Sequence, residues 1–123
     1  MGLLLFIIAV VLTIITVPLG ILYGFMKCLL KFDLKALFRK TNKYFRLLAI
    51  SIDQMGNVAM QDLFDDILIK KNGYKFGDVD ETISSVLGKN ERLKTLTGLG
   101  LLLVNFLNFI DPNHALNSIE ENP

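Results

Sequence analysis

The chain has 123 residues, a net charge of +1 and 52% hydrophobic residues. That length suits one domain. A single cysteine, Cys28, excludes an intrachain disulfide and any zinc site built on several cysteines.

No charged side chain occurs before Lys27. Leu3 to Met26 reads LLLFIIAVVLTIITVPLGILYGFM, about 24 residues, enough to cross a bilayer core as one helix. Nothing basic precedes Leu3, so the segment is expected to be an uncleaved anchor rather than a signal peptide. Phe6 stands where a myristoylation signal needs Ser or Thr. Pro18 predicts a kink, because it removes a backbone donor. Gly20 and Gly24 make a GxxxG pair, a face through which a homo-oligomer could form. Cys28, at the end of the apolar run, is read as buried rather than lipidated.

A basic block follows: Lys27, Lys31, Lys35, Arg39, Lys40, Lys43 and Arg46, against the single acid Asp33. Positive flanks stay on the cytoplasmic side, which predicts a single-pass protein, N-terminus out and C-terminal domain in the cytoplasm. The same cations would meet anionic headgroups. From Leu34 to about Ile52, Leu34, Leu37, Phe38, Phe45 and Leu48 recur at helical spacing among the basic residues. This predicts a basic amphipathic juxtamembrane helix. Beside an anchor, headgroups are nearer partners than nucleic acid, which is not expected to bind.

The remaining segments predict short helices. Asp62 to Lys71 is one, ended by the Asn72-Gly73 turn. Tyr74 to Phe76 alternate as a short extended piece. In DVDETISSVLGKN, Asp78 or Asp80 is the expected N-cap, Ile83, Val86 and Leu87 the apolar face, and Gly88 the stop. Thr95 to Ile110 is an apolar run of about 16 residues, short for a span, expected to be a buried or interfacial helix. Asp111-Pro112 reads as cap and first turn of a last helix, Asn113 to about Ile119, before a fraying tail. The expected class is mainly α. Residues 1–26 form the anchor, 27–50 the basic helix and 51–123 a small helical domain. Roughly 75 residues for that last core is near the lower limit for independent folding.

Three polar clusters could carry chemistry: Asp53, Gln54 and Asn57; Asp80, Glu81, Ser84 and Ser85; and Asp111 with His114. Glu81 and Ser85 share a helix face. His114 is the only histidine, the side-chain type most used as a general acid or base. A triad can be drawn from Ser84 or Ser85, His114, and Asp53 or Glu81. No GxSxG elbow supports it. A metal site from Asp53, Glu81 and His114 lacks any paired-histidine spacing. Gly98 and Gly100 do not extend to a phosphate loop, and Asp62, Asp65 and Asp66 lack the spacing of a calcium loop. The favoured reading is a structural polar network or partner surface, with no cofactor and no metal.

The order IDQMGN, NGYKFGD, DETISSVLGKNER and DPNH, from about Ile50 to Ile119, resembles small proteins encoded in tailed-phage and prophage genomes. DETISS is its most specific part. Members commonly carry His-Cys at the last cluster, where this chain has Ala115 after His114. The resemblance implies a phage origin and no assigned activity. The leading expectation is therefore a non-enzymatic membrane protein whose cytoplasmic domain binds a host or phage protein at the envelope. Two alternatives are a small membrane-bound hydrolase using Ser84 or Ser85, Glu81 and His114, and a lysis-associated or holin-like pore former.

Overall fold

A computed structural model describes residues 1–30 and 34–121. Among these the chain is mainly helical, with six helices and no strand: α1 (Gly2–Leu30), α2 (Leu34–Ala59), α3 (Gln61–Ile67), α4 (Ile83–Leu93), α5 (Gly98–Ile110) and α6 (His114–Asn117). Two compact units divide within α2, Met1–Arg46 and Leu47–Pro123.

In the first unit, α1 is 29 residues long with Pro18 inside it and no buried residue. It is the one described helix long and apolar enough to cross a membrane. Thr13 and Thr16 donate their hydroxyls to the carbonyls of Ala9 and Leu12, so polar atoms in an apolar helix find partners within it. Gly24 lines a groove with Ile21, Phe25, Cys28, Thr41 and Tyr44. Cys28 is half-buried. On α2, Leu37, Thr41 and Leu48 are half-buried, whereas Phe38 and Phe45 stand exposed. Lys31 lies outside the described residues.

The helix expected to end near Ile52 runs on to Ala59. Its last turns carry Asp53 and Asn57, whose side chains bond the 77–83 segment. The second unit closes around Leu68, Ile69, Phe76, Val86, Leu87, Leu96, Val104 and Ala115, with Phe64, Tyr74 and Ile83 packed against them. Phe64 and Phe76 meet edge to face at 5.3 Å, a favourable aromatic geometry. Tyr74 to Phe76 form no strand. The only ladder among the described residues is a bridge between Ile69 and Leu96, flanked by Lys70 N–H to the Thr95 carbonyl and Thr97 N–H to the Leu68 carbonyl.

Four local expectations are corrected. First, α4 is capped by Thr82, whose hydroxyl accepts from the Ser85 N–H, rather than by Asp78 or Asp80. Asp78 instead accepts the Asp80 N–H and holds the turn before the helix. Second, Gly88 does not end α4, which continues to Leu93. A Cβ at Gly88 would overlap the Ala115 carbonyl, so glycine there lets α6 approach. Third, Asp111 does not cap α6: it is the extended residue closing α5, and Asn113, left-handed at φ 59°, precedes α6. Fourth, the tail does not fray at Glu120 and Glu121. Glu120 donates its N–H to Ser85 Oγ at 2.8 Å, and Glu121 pairs with Arg92 at 3.1 Å.

Candidate functional site

The DETISS segment lies at the centre of the second unit. Glu81, just before α4, is fully buried. The helix begins only at Ile83, so Glu81 does not share a helix face with Ser85 as expected; Ser85 and Lys89, four residues apart on α4, both turn to the Glu81 carboxylate. Glu81 Oε1 accepts the Ser85 hydroxyl at 2.6 Å and the Lys89 ammonium at 2.5 Å. Its Oε2 accepts the Tyr74 hydroxyl at 2.9 Å. Lys89 also lies 4.4 Å from the Tyr74 ring centre, a cation–π contact. The buried carboxylate therefore has a charged partner and two hydroxyl donors, which buried charge requires. Burial works against the charge on Lys89, but the Glu81 and Tyr74 hydrogen bonds prevail and raise its pKa above the ordinary lysine value. Burial, together with the bond to Glu81, raises the Tyr74 pKa as well.

Asn57 and Asn90, both fully buried, secure the loop between α3 and α4. Asn57 donates to the carbonyls of Asp78 and Glu81 at 3.1 and 2.7 Å and accepts the Gly77 N–H at 3.0 Å. Gly77 sits at φ 116°, a conformation that other residues rarely adopt. Asn90 accepts the Tyr74 N–H and the Thr95 hydroxyl, and donates to the carbonyls of Tyr74 and Val86. All four hydrogen-bonding positions of that amide are thus filled.

The first two polar clusters meet. Gln54 donates to the Asp80 carbonyl at 3.0 Å, and Asp53 accepts the Ile83 N–H at 3.3 Å. Asp53 also bonds Ser84, and the His114 imidazole is near enough to act on its charge. Burial pushes the Asp53 carboxyl above its usual range, against those opposing interactions. The third cluster joins only loosely. His114 Nδ1 bonds Asp111 Oδ2 at 2.9 Å on a more exposed part of the surface. Among the described residues no hydrogen bond links His114 to Ser84, Ser85 or Glu81, and no group of three metal-ligating side chains forms.

Ser85 has little scope as a nucleophile. Its hydroxyl donates to Glu81, accepts from the Glu120 N–H, and is fully buried. The Glu120 carboxylate closes the same end of α4 by accepting the Thr82 hydroxyl at 3.1 Å. Of the expected headgroup-binding residues, Lys27, Lys35, Arg39, Lys40, Lys43 and Arg46 are all exposed.

Tyr74, Lys89, Asn90, Thr95 and Glu120 belong to the network without having stood out in the sequence. Lys89 was the legible one, since it stands one helical turn beyond Ser85. Glu120 carried no local signal, because it arrives from 38 residues beyond Thr82. No protein-family model, curated protein or solved structure matches this chain significantly.

Proposed function

We propose that this chain is a non-enzymatic, phage-type membrane protein that presents its second unit as a binding module for a protein of the host or phage envelope. In this reading α1 spans the bacterial inner membrane once with its N-terminus outside. The cations from Lys27 to Arg46 rest on anionic headgroups, and residues 47–121 lie in the cytoplasm. One observation carries the non-enzymatic part. The centre of the polar network is sealed, with Glu81 and Ser85 fully buried and every described bond of theirs made inside the unit. Such a network specifies a shape rather than a reaction. The basic flank of α1 supports the orientation.

The test uses the full chain in its host membrane. A compartment-sensitive reporter fused after Pro123 is expected to report the cytoplasm, and an exclusively external signal would overturn the orientation. Photo-crosslinking residues at the exposed positions Val79 and Asn113 are expected to yield a discrete adduct with one envelope protein. A catalytic role would instead show as Ser84→Ala or His114→Ala variants that keep the native melting transition and the adduct yet lose the phenotype.

A further inference from the structure

Only Gly100 and Val104 of α5 are buried. At 100° per residue these two lie on one side of the helix, with Leu107 beside them. Leu99, Leu102, Phe106, Phe109 and Ile110 form the opposite side, and they are 49%, 67%, 60%, 88% and 67% exposed. No charged residue occurs from Thr95 to Ile110. Phe64 and Leu68 widen this face into a shallow apolar groove beside Leu99, Leu102 and Phe106. An uncovered apolar face of this kind marks an interaction surface.

We propose that this face is a second membrane attachment, with α5 lying in the plane of the bilayer and its Leu99–Ile110 side sunk among the acyl chains of an anionic lipid surface. Two observations choose lipid as the occupant. The same chain carries α1, long and apolar enough to cross a membrane with none of its residues buried, and in the proposed function it tethers the second unit to a bilayer. This inference rests on that anchor. In addition, the exposed lysines Lys70, Lys71 and Lys94 border the start of α5. The Ile69–Leu96 bridge and the Lys70 ammonium on the Lys94 carbonyl at 3.4 Å bring them together. Cations beside the start of an apolar helix match phosphate headgroups above acyl chains. Thirteen residues extend only about 20 Å, short of the roughly 30 Å hydrocarbon core, so the helix lies in the interface instead of crossing it.

The chain has no tryptophan, so single substitutions make clean reporters. Full-length Ile14→Trp, Phe106→Trp and Val79→Trp variants would be reconstituted in phosphatidylcholine–phosphatidylglycerol vesicles with brominated acyl chains. Quenching of Phe106→Trp to the extent seen for Ile14→Trp is expected, with Val79→Trp unquenched. Quenched Ile14→Trp beside unquenched Phe106→Trp would overturn the attachment while leaving the anchor intact. In that case blue-shifted Phe106→Trp emission would identify a protein cover, such as a second copy, and water-like emission a free face. Unquenched Ile14→Trp would defeat the anchor. With Phe106→Trp also unquenched the attachment falls too, whereas quenched Phe106→Trp would show that it stands alone.

Discussion

Glu81 shows how a single residue can fix a small core. Its carboxylate is surrounded by Ser85, Lys89 and Tyr74 with no exposure to solvent. Removing one partner of a buried pair leaves an uncompensated charge, which costs about 3 to 5 kcal/mol. Lys89→Met is therefore expected to destabilise the second unit by that order in denaturant titrations of the full chain. A Glu81→Leu/Lys89→Met double variant should recover much of the loss, because neither charge is then buried. The same network sets an alkaline limit. The folded pKa values of Lys89 and Tyr74 are both raised, so the fold favours the proton-bound form of each. Their contribution is fully present below the unfolded values of about 10 and is lost as pH rises through the folded ones. Stability should thus hold from neutrality to about pH 10 and fall above it. Tyr74→Phe should flatten part of that fall, as read by unfolding midpoints across the alkaline range.

At the scale of elements, α4 is held from both ends and along one side. Thr82 caps its start, Lys94 in a left-handed conformation ends it, and α6 lies against Gly88. Gly88 works through its missing Cβ, since any side chain there would overlap the Ala115 carbonyl. Gly88→Val is expected to displace α6 and cost about 3 kcal/mol or more, visible as a lowered unfolding midpoint. The Leu47–Pro123 unit should otherwise keep its helical circular dichroism. α5 has a divided role, with Gly100 close against the Leu68 carbonyl and its opposite face uncovered. A glycine in such an element has two readings in a sequence. A glycine near the end of an apolar stretch signals a stop when only local propensity is considered. Close packing against another helix leaves the same mark in a sequence, and only the position of the partner distinguishes the two.

Across the whole molecule, the sequence by itself determined the classes of its parts. The long charge-free start, the trailing cations, the mainly helical character and the turn at Asn72-Gly73 are local properties of composition and periodicity, so they are legible without a fold. The closeness of Glu81 and Ser85 was legible from their four-residue spacing, although Glu81 stands before α4 and not on its face. Helix ends were less so, because α2 continues to Ala59 for the sake of bonds from Asp53 and Asn57 to residues more than 20 positions away. The tertiary structure alone decided that Glu120 returns to close the start of α4, that Asn90 ties Tyr74 to Thr95, and that Ser85 is sealed. It also decided which side of α5 is left uncovered. Each of these depends on contacts between segments distant along the chain, and the energy of a buried polar group is set by the partners that packing brings to it, not by its neighbours in sequence.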